Sequence, residues 1–219
     1  MQFQLLLICA LSLLVTRPAQ AQPAADSLHK AAPVPTTALA AFATGRTRLD
    51  QRGLAVLGGW AVGNLLVSGI ATGQTDGSAH YFHQMNIGWG AVNLVLAGTG
   101  YLAARRATDQ PSADRVGNVR AQLRTENLYL LNAGLDVAYL ATGLYLLEKS
   151  RNPTATGSSD RWRGYGQSLL LQGGFLLLFD GFQYATHHRH GQSLYPLLSR
   201  VSIGPGAVAV TWPLGGALR

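Results

Sequence analysis

Two carboxylates interrupt otherwise apolar stretches of this chain, and their setting decides what chemistry they can do. Asp136 sits near the middle of residues 127–147, a run that is otherwise uncharged and rich in Leu, Ala, Tyr and Gly. Asp180 closes the run Ser168-Leu-Leu-Leu-Gln-Gly-Gly-Phe-Leu-Leu-Leu-Phe179. About 20 mostly apolar residues suffice to cross a bilayer as a helix. A carboxylate at that depth costs roughly 2.5–3.5 kcal/mol on insertion scales, so it must face protein rather than lipid. Acids so placed are candidates for a proton relay, an ion path or a polar pocket. At about 1.5 Å of rise per residue, Asp136 lies roughly 16 Å and Asp180 roughly 10 Å from the same membrane face. They can share one cavity, joined through Asn132 or a water. Two full negative charges there would repel strongly.

The remaining polar residues fall at helical spacing. One stretch carries Trp60, Asn64 and Ser68; the next His83, Asn86, Gly90, Asn93, Ala97 and Gly100. A third carries Tyr129, Asn132, Asp136, Tyr139 and Gly143; a fourth Tyr165, Ser168, Gln172, Leu176, Asp180, Gln183 and His187. Steps of three and four put each set on one helix face. The candidate polar core is therefore Asn64, His83, Asn86, Asn93, Asn132, Asp136, Gln172, Asp180 and Gln183. Such stripes must meet one another if lipid surrounds the helices. They act either as hydrogen-bonded glue, worth on the order of 0.6 kcal/mol per contact, or as a site.

Other chemistries find little support. His80 and His83 begin one helix on one membrane face, while His187, His188 and His190 end another on the opposite face, so no transverse haem pair forms. His187-His188-Arg189-His190 reads as a solvated helix end, not a metal site. No haem-attachment, zinc-protease, phosphate-loop or nucleophile-elbow motif is present. We expect no catalytic residue, no metal and no cofactor. The net charge of +7 comes from arginines scattered between apolar runs, which argues against a nucleic-acid surface.

The elements that must position these residues follow from composition. Charged residues make up 12% and hydrophobic residues 47% of the chain, a membrane-like balance. Residues 1–21 look like a signal peptide, with an apolar core over 5–15 and Ala19-Gln20-Ala21 before the cleavage point. The only cysteine, Cys9, would leave with it. Residues 22–45, rich in Ala, Pro and Thr, predict a disordered linker with a short helical turn over 37–44. The domain itself spans 46–190, with helices at about 49–72, 80–106, 119–150 and 160–187. Short links imply an all-α, four-helix up-down transmembrane bundle. A soluble bundle would need a charged outer face on every helix, and the fourth has none. Gly59 with Gly63, and Gly69 with Gly73, stand four apart and predict close helix packing. The tail, 191–219, could hold a small hairpin around Gly204-Pro205-Gly206.

The stretches Gly58-Gly-Trp-Ala-Val-Gly-Asn64, Tyr81-Phe-His-Gln-Met-Asn86 with Gly88-Trp89 and Val92-Asn93, Leu131-Asn-Ala-Gly-Leu-Asp136, and Arg163-Gly-Tyr-Gly-Gln-Ser168 with Phe179-Asp-Gly181 resemble a family of small exported bacterial membrane proteins of unknown function. The resemblance covers about 46–187. It implies four spans behind a signal peptide and transfers no catalytic residue; the expected location is the bacterial inner membrane. Orientation is contested: a cleaved signal places Gln22 outside, whereas the side richer in arginine belongs in the cytoplasm by the positive-inside rule. The expected role is a non-enzymatic binding or accessory subunit whose partners are the bilayer and a membrane protein or a second copy. The alternative is a proton- or small-solute-handling protein using Asp136 and Asp180.

Overall fold

The computed structural model describes residues 36–152 and 159–194 in full and the backbone of 201–204 and 207–210. The signal peptide, linker residues 22–35 and most of the tail lie outside the described residues. Four helices follow in order: α1 (Thr36–Ala71), α2 (Gly77–Asp109), α3 (Arg115–Arg151) and α4 (Ser159–Gln192). Beyond them β1 (Val201–Gly204) pairs antiparallel with β2 (Ala207–Val210), Val201 opposite Val210.

The first helix begins 13 residues before its predicted start, and that is the main departure from the sequence reading. Residues 36–45, assigned there to the linker, are helical. Alanine is the strongest helix former, and the Ala-rich composition that suggested disorder serves a helix equally well. The stretch also has a packing face. Leu39, Phe42 and Ala43 are buried, and Leu39 and Phe42 form a cluster with Leu194 and Val119. Thr44 and Thr47 return their hydroxyls to the carbonyls of Ala40 and Ala43, so neither needs water.

α3 starts where its sequence provides a cap. Asp114 accepts a hydrogen bond from the backbone N–H of Gly117 at 2.6 Å, and Asn118 donates to the carbonyls of Ser112 and Asp114. Gly77 opens α2 at φ +57°, a conformation only glycine takes without strain.

α1 packs on α2, α3 on α4, and α2 on α4, with lesser contacts from α1 to α3 and α4. α4 is the most enclosed helix, with eleven buried residues against nine in α1 and six each in α2 and α3. Three helices, α1, α2 and α3, are long and apolar enough to cross a membrane. α4 is not, although four crossings were expected. Its apolar run is broken by Gln167, Ser168, Gln172 and Asp180. Of these, Ser168, Gln172 and Asp180 are buried against the other helices, so packing rather than composition decides what α4 shows to its surroundings.

The predicted glycine contacts are replaced by others. A Cβ placed on Gly59, Gly63 or Gly69 would meet nothing, because these residues lie on the outer face of α1. The close approaches occur elsewhere. A Cβ on Gly166 would lie 2.8 Å from the carbonyl oxygen of Gly143, and one on Gly143 would lie 3.0 Å from that of Gly166. Gly173 presses in the same way on the carbonyl of Asp136, at 3.2 Å. Gly164 lies directly on the start of α2, against Ser78 and Phe82.

Candidate functional site

The polar stripes meet along the bundle interior, and Gln172 is the point where three helices join. The indole N–H of Trp60 donates to Gln172 Oε1 at 2.9 Å. Gln172 Nε2 donates to Asn64 Oδ1 at 2.7 Å and to Asn86 Oδ1 at 2.8 Å. Ser168 adds a hydroxyl donor to Asn86 Oδ1 at 2.7 Å, and Asn64 Nδ2 donates to the carbonyl of Trp60. Ser168 and Gln172 are wholly buried. Both N–H groups and the oxygen of Gln172 are used, so the hub is saturated. Trp60 stacks on Phe175 at 3.9 Å, which closes the hub on one side.

From the hub the row runs one way to the start of α2. There a His83 ring nitrogen lies 3.2 Å from the Ser68 hydroxyl. His80 Nδ1 donates to the carbonyl of Thr72, since a carbonyl can only accept. Tyr165 on α4, also in the predicted stripe, donates to Gln84 on α2 at an exposed position.

In the other direction lies the acid pair. The glycines at 143, 166 and 173 bring the backbones of α3 and α4 close together on the face that carries Asp136 and Asp180. Both are buried and lie within electrostatic reach of each other, with Asn132 beside Asp180, and Asp136 Oδ2 has no hydrogen-bond partner among the described residues. Nearby, the edge of the Tyr139 ring meets Trp89 at 5.0 Å. Trp89 Nε1 and, one turn on, Asn93 Nδ2 are buried donors with no hydrogen-bond partner among the described residues. An unpaired buried donor costs about 1–3 kcal/mol, so this level of the bundle is polar beyond what its own bonds require.

Past the acid pair the row continues to the end where α1 begins. Gln183 donates to the Tyr129 hydroxyl at 3.4 Å, and Tyr129 lies within electrostatic reach of both Asp180 and Asp50. Its ring stacks on His187 at 5.4 Å. His187 Nε2 is 3.2 Å from Asp50 Oδ1, close enough for an ion pair though not aligned for a hydrogen bond. Asp50 Oδ2 in turn meets Arg46 at 3.4 Å. Gln122 donates to the backbone carbonyl of His187 and to Glu126, whose other oxygen lies 3.3 Å from His188. His190 donates to the carbonyl of Phe42 and stacks on its ring.

The histidine run is thus solvated only in part: His188 and Arg189 reach the surface. His187 is completely buried, because the early turns of α1, read from sequence as linker and helix start, cover it. That unrecognised segment also hid Arg46 and Asp50 as members of the row. Gln122 and Glu126 could have been found: they extend the Tyr129–Asp136 stripe of α3 upstream in steps of three and four. Among the described residues no group of three metal-binding side chains converges.

The model of the family of unknown function DUF6992 matches residues 56–181, more than half of the chain. No curated protein and no solved structure matches the chain. The matched segment contains the Gln172 hub and both Asp136 and Asp180, and stops short of Asp50 and His187. The chain therefore belongs to DUF6992.

Proposed function

We propose that this chain is an integral membrane protein of four crossings, without a reaction of its own, whose interior acid pair binds and releases a proton. Support for the lipid setting comes from the outer surface. Val56, Leu66, Val67 and Ile70 on α1, Val137 and Leu144 on α3, and Leu178 and Phe182 on α4 are all more than half exposed. Exposed apolar surface on this scale marks contact with a membrane or a partner. α4 crosses because its polar residues are shielded by the other three helices. The observation that carries the proton reading is the burial of two carboxyls within reach of each other, one of which, Asp136, has an oxygen without a hydrogen-bond partner among the described residues. The row Tyr129, His187, Asp50 and Arg46 links that pair to the bundle end and offers a route in and out. Such proton binding would serve solute movement or a partner in the same membrane.

A second reading is favoured by the saturated Gln172 hub: the whole row is structural, and the protein is an accessory or binding subunit. The two readings separate in one experiment. Asp136→Asn and Asp180→Asn each keep the size of the side chain, and the amide can donate to the remaining carboxylate. Under the proton reading the parent shows a protonated-carboxyl infrared band that comes and goes with pH, and each variant accumulates in membranes at normal levels but lacks that pH-dependent band. Loss of abundance in both variants, with no pH-dependent band in the parent, supports the accessory reading.

A further inference from the structure

One face of the bundle takes no part in the polar row. On the outer side of the first turns of α3, Arg115, Arg120 and Arg124 stand among Val116, Val119 and Leu123 around a groove of about 720 Å³. Arg120, Arg124, Val116 and Leu123 are exposed. The nearby acids face elsewhere: Asp114 caps the helix on Gly117, and Glu126 is turned inward onto Gln122 and His188. Among the described residues Arg120 and Arg124 form no ion pair, so the groove presents their positive charge outward.

The apolar part of the groove continues along the helix. Val116, Leu123, Leu130, Val137 and Leu144 recur every seven residues and are 63, 51, 50, 54 and 60% exposed. Seven residues fall about 20° short of two full turns, so these side chains form a slowly winding stripe. α3 has 37 residues, about 55 Å of helix, whereas a bilayer with its headgroups is about 40–45 Å thick. With Leu130–Leu144 in hydrocarbon, Arg124 and Arg120 stand roughly 9–15 Å further out, at headgroup level. Guanidinium groups bind phosphate oxygens in a paired, planar geometry.

We propose that this groove binds an anionic phospholipid. The phosphate sits between Arg120 and Arg124, and one acyl chain lies along Leu130 and Val137. The proposal rests on the membrane reading above, and commits to a lipid rather than to free phosphate because the basic groove and the apolar line are continuous.

The test uses the full chain extracted from membranes in neutral detergent. It is mixed with phosphatidylglycerol or with phosphatidylcholine of the same acyl chains, and lipid retention is read by native mass spectrometry. The expected result is retention of phosphatidylglycerol over phosphatidylcholine. The double variant Arg120→Gln/Arg124→Gln should weaken that retention by roughly tenfold or more, since each basic side chain near a membrane surface contributes appreciably. The exposed pair at the end of α2, changed as Arg105→Gln/Arg106→Gln, should leave it intact. Equal retention of both lipids, or an equal loss in the two double variants, would overturn the proposal, the latter by reducing it to diffuse attraction. Displacement of the lipid by inorganic phosphate would also overturn it. Resistance to alkaline extraction is read separately. A variant that stays in the membrane but shows no lipid preference counts against the groove alone, and wild-type protein released by alkali counts against the membrane reading.

Discussion

At the scale of single residues, this bundle concentrates its specificity in one amide. Gln172 uses every polar atom it has to tie Trp60, Asn64 and Asn86 together. Replacing it by leucine leaves the Trp60 N–H without its partner and removes a donor from each of Asn64 and Asn86. Each buried group left unsatisfied costs about 1–3 kcal/mol, so Gln172→Leu should lower the thermal unfolding midpoint in detergent clearly, despite being the more apolar residue. A midpoint equal to or above the parent's would mean the hub contributes little. Asn64, Asn86, Asn93, Asp136, Gln172, Asp180 and Gln183 are all buried, and their helical spacing made them legible in the sequence. His187 was not legible in the same way. Three polar neighbours made it look solvated, and only the segment that folds over it reveals otherwise.

The helices themselves are set by where glycines stand. Gly143 and Gly166 place two backbones in contact, and neither backbone can move aside for a side chain. Gly166→Ala should therefore destabilise by about 1–3 kcal/mol, the usual cost of overpacking, and should also pull Asp136 and Asp180 apart. Gly59→Ala and Gly63→Ala meet open space and should be neutral or mildly stabilising, since alanine favours helix over glycine by up to about 1 kcal/mol. Unfolding midpoints of the three variants in detergent check this ordering, and a larger loss at Gly59 or Gly63 would contradict it. Sequence spacing alone singled out the wrong pair. Spacing of four marks a row of small residues but does not say which neighbour, if any, that row faces. The same limit applies to the start of α1, where an Ala- and Thr-rich stretch suits a linker or a helix equally until Leu39 and Phe42 find Leu194. The positions of the other helices were readable within a few residues, because Pro, Ser and charge in the links end each apolar run.

For the whole molecule, the account turns on what surrounds it. Buried polar side chains share the interior with Leu57, Leu146, Leu169 and Leu176, while large apolar side chains stand exposed outside; under the proposed membrane setting, α4 fits only if its outer residues face the same medium as those of α1–α3. The native chain has a single cysteine, Cys9, so with Cys9→Ser single cysteines can be spin-labelled at will. The most direct measurement places labels at Val137 and Leu144 on α3 and at Leu178 and Phe182 on α4 in reconstituted vesicles, and compares relaxation by oxygen with relaxation by a water-soluble nickel chelate. Oxygen should dominate at all four positions. Dominance of the chelate at Leu178 and Phe182 would remove α4 from the bilayer, and dominance at all four would contradict the membrane bundle altogether.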